Sequence, residues 1–258
     1  MPVPRIHVDR PLAPGAEFAL GAAASRHVQV LRLQPGHALA LFDGRGGQWS
    51  GEVTAITRRE VRVRALRFEA LEREPATAVT LAVGMPANER MDALIEKATE
   101  LGVARIQPLV CERSVLRVAG ERALRKAAHW QAVAVAACEQ CGRNRLPEIA
   151  EPVRLDAWLQ GLSVHSGLRC LLSADASSPW PPAGLRSVDA VTVLSGPEGG
   201  FTDAEQTAAR DADFVACSLG PRVLRADTAP LAALAWIALE PGMIASCATP
   251  ADGARTPT

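Results

Sequence analysis

From Val79 onward the sequence alternates short apolar runs with helix-length amphipathic segments, and that rhythm leaves few folds open. Val79 to Met85 reads as an apolar strand. Met91, Leu94, Ile95, Ala98 and Leu101 then share one helical face, and Gly102 follows as a C-terminal stop. Val103 to Val110 is the next strand, and a long helix is expected from Glu121 to Cys141. Further strands are expected over 168–172, 188–194 and 214–219, with a last helix from Ala229 to Leu239. Strands that alternate with helices imply an α/β domain, a mostly parallel sheet covered on both faces.

The residues before 79 follow a different pattern. Turn signals recur at Ala13-Pro14-Gly15, Gln34-Pro35-Gly36 and Asp43-Gly44-Arg45-Gly46-Gly47. Val61 to Leu66 alternates apolar residues with arginine, the period of a half-buried strand. One helix, Ala23 to Leu33, interrupts these short strands, and the whole reads as a small β-barrel. Residues 69–77 read as a linker. The expected division is a barrel over 1–72, the α/β domain over 73–245 and a disordered polar tail over 246–258.

Composition removes several classes of function. The chain has 258 residues, 48% hydrophobic and 22% charged, which is too apolar for extended disorder. Its longest apolar runs fall short of the roughly 18 residues that a membrane helix needs. Met1 to His7 lacks the apolar core of an export signal, so a cytoplasmic protein with six reduced cysteines is expected. Cys138 and Cys141 form a Cys-x-x-Cys at a helix end with no second pair at metal spacing; buried thiols and no metal are expected.

The 28 basic and 28 acidic side chains cancel, yet residues 1–78 carry +3, residues 79–150 +2 and residues 151–258 −5. Only Lys97 and Lys126 are lysines, so the basic surface is almost wholly arginine, which suits forked contacts to phosphate. The N-terminal part is the better place for a polyanion, although a solvated surface gives the same count.

Two glycine-rich loops carry the chemistry. Val191 to Leu194 leads into Ser195-Gly-Pro-Glu-Gly-Gly-Phe201, and Thr202 with Glu205 has capping-box spacing for the helix that follows. Phe214 to Leu219 leads into Gly220-Pro-Arg-Val-Leu-Arg225, with Asp227 or Thr228 placed to cap the closing helix. Neither loop has a dinucleotide fingerprint or a phosphate-loop Gly-Lys-Ser/Thr. A ligand cleft and a tight strand-to-helix turn both fit one such loop, and two at successive strand ends favour the cleft.

With these loops, five more blocks resemble the RsmE family, SPOUT-class methyltransferases of small-subunit ribosomal RNA. They are Met91-Asp92 with Lys97 to Val103; Cys111 to Val115; Glu139 to Glu148; His27 with Val30-Leu-Arg32; and Leu41 to Gly47. The blocks run in order from about Arg5 to Leu239 and cover nearly the whole chain.

The resemblance implies a PUA-like barrel, then a SPOUT α/β domain with a mostly parallel sheet and a trefoil knot. It also implies a homodimer that transfers a methyl group from S-adenosylmethionine to N3 of one decoding-region uridine. On the same ground the cofactor is expected at Leu172, Ser173, Ser195, Gly196, Glu198, Gly199, Gly200, Leu219, Gly220, Leu224 and Thr228.

Arg222 and Arg225 match family arginines that could stabilise a uracil anion. Two readings stay open for Glu198, a catalytic base or a carboxylate stabilising a helix N-terminus. The expected contacts to 16S ribosomal RNA, free or in the small subunit, are Arg5, Arg10, His27, Arg32, Arg45, Arg143, Asn144 and Arg145. A structural role for His27 is equally open. The chain departs from the family at Ala226-Asp227, where a Thr-Glu pair is usual, and at Asn88, where a lysine is common. A SPOUT enzyme acting on transfer RNA and an inactive RNA-binding factor are the alternatives.

Overall fold

The computed structural model describes residues 3–116, 118–162 and 167–240; the expected tail over 246–258 lies outside them. The N-terminal elements are β1 (Arg5–His7), β2 (Glu17–Ala19), α1 (Ala22–Val30), β3 (Ala38–Phe42), β4 (Gln48–Ile56) and β5 (Val61–Glu69). They form one sheet in the order β1-β3-β4-β5-β2, parallel only between β1 and β3. Alternation sets its two faces. Val61, Val63 and Ala65 point inward and are fully buried, while Arg62 and Arg64 point outward. The inward set packs with Ile6, Leu39, Leu41, Val53 and, from α1, Val28.

Helical periodicity carries α1 to Leu33, but the helix stops at Val30. Arg32 takes the left-handed conformation, φ 55°, and the Leu33 N–H returns to the Val28 carbonyl at 3.3 Å. This is the hydrogen-bond pattern of a terminating turn, with arginine where glycine is usual.

The remaining elements are β6 (Ala78–Gly84), α2 (Asn88–Glu100), β7 (Arg105–Val110), α3 (Glu121–Cys141), β8 (Glu148–Ile149), β9 (Val153–Arg154), α4 (Leu155–Gln160), β10 (Leu168–Leu172), β11 (Ala190–Ser195), α5 (Asp203–Asp211), β12 (Val215–Cys217) and α6 (Thr228–Leu239). The strands lie in the order β12-β10-β11-β6-β7-β8, with β9 also on β7, and every pairing is parallel. The expected mostly parallel sheet is therefore present. Helices cover both faces. Val79, Leu81 and Val83 pack with α2, α3 and α6 around Trp130, whereas Ala82, Leu171 and Leu194 pack with α4 and α5. No helix among the described residues is long and apolar enough to cross a membrane.

The stretch expected to be a linker is clamped instead. Arg143 is 3% exposed, and its guanidinium donates two bonds to Glu74, at 3.1 and 2.5 Å, and a third to the Thr99 carbonyl at 2.8 Å. Asn144, fully buried, donates to the Leu71 carbonyl at 2.5 Å and accepts from Arg5 at 2.7 Å. Arg5 also donates to Gln48 and to the Arg143 carbonyl, and lies over the Phe42 ring. Glu139 of α3 accepts from the His7 backbone N–H at 3.0 Å and meets His27 Nδ1 of α1 at 3.0 Å. Arg143, Asn144 and the two terminal nitrogens of Arg5 join the two sheets and are engaged inside the protein, which corrects their expected role as RNA contacts.

Cys138 and Cys141 sit beside this joint. Their mutual hydrogen bond, and then burial, raise the Cys138 pKa; the same bond lowers that of Cys141.

Two outcomes follow from the joint. Arg143→Ala leaves Glu74 without its partner and is expected to cost about 3–5 kcal/mol, read from denaturant unfolding. Burial lowers the His7 pKa against the opposing pull of Glu139. The unfolded chain therefore takes up this proton more readily, so the His7 contribution is complete above its unfolded value, about 6.5, and disappears as pH falls below it. The unfolding midpoint should drop between pH 7 and 5, and His7→Leu should flatten that dependence.

Candidate functional site

Three loops leave the carboxyl ends of β10, β11 and β12 and enclose a cavity of about 570 Å³. Ser173 to Asp175 forms one wall, Gly196 to Glu198 with Gly200 and Phe201 a second, and Ser218 to Gly220 with Arg222 to Ala226 the third. In an open parallel sheet this is where ligands bind. The loops are held by local bonds. Gly200 N–H closes a turn on the Pro197 carbonyl at 2.8 Å, and Ser218 Oγ accepts from Gly220 N–H at 3.3 Å. Gly200 and Gly220 have φ of 69° and 107°, which side chains disfavour, and a Cβ on either would meet no atom within 4 Å. Both line the cavity, so their missing side chains leave that space to a ligand.

The capping box at Thr202 is formed as its spacing predicts. Thr202 Oγ1 accepts from Glu205 N–H at 3.2 Å, and Glu205 returns the bond to Thr202 N–H at 2.9 Å. The other carboxylate oxygen of Glu205 accepts from Glu112 N–H at 2.8 Å, tying the loop after β7 to the start of α5. Arg113 in that loop donates to the Gly199 carbonyl at 3.1 Å.

The closing helix behaves otherwise. Neither Asp227 nor Thr228 caps α6 through its side chain, and Asp227 Oδ1 is buried without a partner. The backbone of Arg225 serves instead, its carbonyl accepting from Thr228 and Ala229 at 2.9 and 3.0 Å.

Nine of the eleven residues expected around the cofactor line the cavity; Gly199 and Thr228 do not. Gly199 faces Arg113, whose Cβ would lie 2.8 Å from an added Cβ. Arg222, Arg225 and Glu198 all line it. The two arginines are exposed and have no carboxylate partner among the described residues. Glu198 is already engaged. Its Oε1 accepts from Ala87 N–H, at the N-cap of α2, at 3.1 Å, and Arg90 Nη1 stands 3.7 Å away. Of the two readings left open by the sequence, the geometry favours the helix N-terminus, though that of α2 and not of α5.

Sequence reasoning missed Arg113 and Asp175. Asp175 is the one cavity-lining carboxylate without a partner among the described residues, and only its place just past the β10 strand end could have marked it.

The RNA candidates separate by exposure. Arg10, Arg32 and Arg45 are exposed, Arg10 lying over the Phe18 ring. Arg145 is half exposed and pairs with Glu72 at 3.3 Å. His27 is held by Glu139.

A family model described as an RNA methyltransferase domain matches residues 72–238, and one described as an RNA methyltransferase PUA domain matches residues 20–66. Ribosomal RNA small subunit methyltransferase E of Synechocystis is 33% identical over 86% of this chain and 73% of its own length. The protein of the same name from Bacillus subtilis is 28% identical over 83% of this chain and 86% of its own. A crystal structure of ribosomal RNA small subunit methyltransferase E from Neisseria gonorrhoeae, bound to S-adenosyl methionine, superposes with a TM-score of 0.84. It is 31% identical and covers 91% of this chain and 96% of its own.

The Glu198 contact gives an expected outcome. Glu198→Ala removes an acceptor from the α2 N-terminus and should cost about 1 kcal/mol of stability. Glu198→Gln, which keeps an oxygen for Ala87 N–H, should recover most of that in the same thermal unfolding measurement.

Proposed function

Since the chain belongs to the family of ribosomal RNA small subunit methyltransferase E, we propose that it methylates N3 of one decoding-region uridine in 16S ribosomal RNA, using S-adenosylmethionine. The observation that carries the reading is the three-loop cavity, lined by the glycine loops, one carboxylate without a partner and two arginines without a carboxylate partner among the described residues. The donor set fits this cofactor. The glycine walls leave room for adenine and ribose, and Asp175 supplies a negative charge for a ligand rich in hydrogen-bond donors. Bound there, S-adenosylmethionine supplies a methyl group on a sulfonium, already a good donor, so the protein's share of the work is mainly orientation.

The acceptor demands more of the side chains. Uracil N3 carries an imide proton that must leave before or during transfer, and negative charge then spreads to O2 and O4. Arg222 and Arg225 are free to stabilise that charge. Glu198, held on Ala87 and near Arg90, is a positioning residue that fixes the glycine loop to the start of α2.

The expected homodimer has a candidate face. α6 is apolar on all sides, and its Leu239 is 70% exposed, as is Val223, at 86%, beside the cavity. The trefoil knot has support in the path of the chain. After β12 at the sheet edge, Ser218 exchanges backbone bonds with Ser178 and Trp180 at 2.8 and 2.9 Å, and the chain then returns to place α6 against α2, β6 and β11. A cytoplasmic location agrees with a ribosomal substrate.

The direct test is transfer of labelled methyl to small subunits, and to their free RNA, from cells lacking this modification. Label should appear in 3-methyluridine at one site; label in another nucleoside, or none, overturns the assignment. Arg225→Ala should lower turnover by about 100-fold with cofactor affinity kept, in line with loss of one charge-stabilising group. Asp175→Ala should weaken S-adenosylmethionine binding by about tenfold in calorimetry, the loss of roughly one charge-assisted hydrogen bond.

A further inference from the structure

The last turn of α3 carries two thiols, Cys138 and Cys141, three residues apart and so on one side of the helix. Cys138 is fully buried, and its Sγ donates to the Arg145 carbonyl at 3.7 Å. Cys141 is the last helical residue and is partly exposed. The burial expected of both thiols therefore holds for Cys138 alone. The helix ends at Cys141, and Gly142 turns the chain away in the left-handed conformation, φ 90°.

The surroundings of the pair are basic. Arg73 Nη1 donates to the Gly142 carbonyl at 2.7 Å, and Arg5 Nη2 donates to the Arg143 carbonyl at 2.9 Å. The buried Arg143 guanidinium also acts on Cys141. Three guanidinium groups thus crown the carbonyl end of α3, where the helix dipole alone opposes a negative charge. The acids on this side are already engaged. Arg143 holds Glu74, His7 and His27 hold Glu139, and Lys97 holds Glu100. The hydrogen bond from Cys138, then the backbone N–H and charge of Arg143, lower the Cys141 pKa against burial and Glu100. Cys111 is the contrast, since burial pushes its thiol up to about 12. A part-exposed thiol in a cationic setting, with a second thiol one turn away, is the arrangement of an oxidisable pair.

We propose that Cys141 and Cys138 form a site of reversible oxidation by hydrogen peroxide, which closes to a disulfide and loosens the joint between the two sheets. The Cys141 sulfur attacks one peroxide oxygen and the O–O bond breaks. The departing hydroxide takes the proton that Cys141 released, so the products are a sulfenic acid and water. The Cys138 sulfur then attacks the sulfenic sulfur. The S–S bond forms, the S–O bond breaks, and hydroxide leaves with the Cys138 proton as a second water. Two thiols are oxidised and one peroxide is reduced. A disulfide needs Cβ atoms about 3.5–4.5 Å apart, and helical neighbours at this spacing stand about 5–6 Å apart. Closing the bond must therefore tighten the last turn of α3. The chain leaving that turn bears the two carbonyls that Arg73 and Arg5 grip and the guanidinium that grips Glu74. The proposal does not depend on the methyltransferase reading.

The test treats the reduced full chain with hydrogen peroxide, alkylates the remaining thiols and maps the peptides by mass spectrometry. A Cys138–Cys141 bond should form, revert with dithiothreitol and be absent in Cys141→Ser. In Cys138→Ser the oxidation should stop at a Cys141 sulfenic acid, trapped by dimedone. In the untreated parent, Cys141 should be alkylated at least about tenfold faster than Cys111. The oxidised parent should unfold about 2–4 °C lower, the shift for loss of one hydrogen bond in a chain of this size, and treated Cys141→Ser should not shift. If Cys141 reacts no faster than Cys111, or passes to a sulfinic acid while Cys138 stays free, the site is wrong. If the disulfide forms and the midpoint does not fall, its coupling to the joint is wrong.

Discussion

Arg143 is a buried cation, and the arrangement of the two sheets depends on how it is neutralised. Its fork grips Glu74 in the connecting segment, and its remaining donor reaches the Thr99 carbonyl near the end of α2. An unpaired charge in that place would cost several kcal/mol, so the connecting segment cannot drift from α2 without a heavy penalty. Asn144 and Arg5 extend the same lock to Leu71 and to the first strand. Gly102 tightens it, because a Cβ there would come within 2.6 Å of Pro75. Where turn residues and charge suggest a flexible tether, the molecule has a fixed joint.

The same comparison shows what sequence can carry. Local signals transfer well. The capping box at Thr202 forms, the glycine stop at 102 ends α2, and α3 occupies its expected span. These depend on residues a few positions apart. Partnerships across the chain were not legible. Glu198 and Ala87 are 111 residues apart, and Arg5 and Asn144 are 139 apart, so nothing local marks either pair. An arginine in a Gly-Arg-Asn-Arg run reads as surface charge, and burial of Arg143 becomes visible only when Glu74 is placed beside it. Asp175 is the converse, an acid that is notable because nothing pairs with it.

Charge in this protein is informative only after the pairs are removed. The chain is neutral as a whole, and on the outer face of the N-terminal sheet Arg62, Arg64 and Arg67 are each matched by a carboxylate. Among the described residues, exposed arginines without a carboxylate partner include Arg32 at the end of α1 and Arg222 and Arg225 on the loop after β12. On the proposed reading the pair after β12 would stand beside the reacting base. Neutralising the sheet face limits unproductive binding to other polyanions, a form of discrimination that net charge alone cannot reveal.

The joint lies at the amino ends of the parallel strands and the cavity at their carboxyl ends. α2 reaches from one to the other, with its first turn on Glu198 and its last on Arg143. Thirteen helical residues span about 20 Å. One rigid rod therefore couples the joint to the glycine loop, so a change that loosens the joint would displace the wall of the cavity as well as the connection between the two sheets.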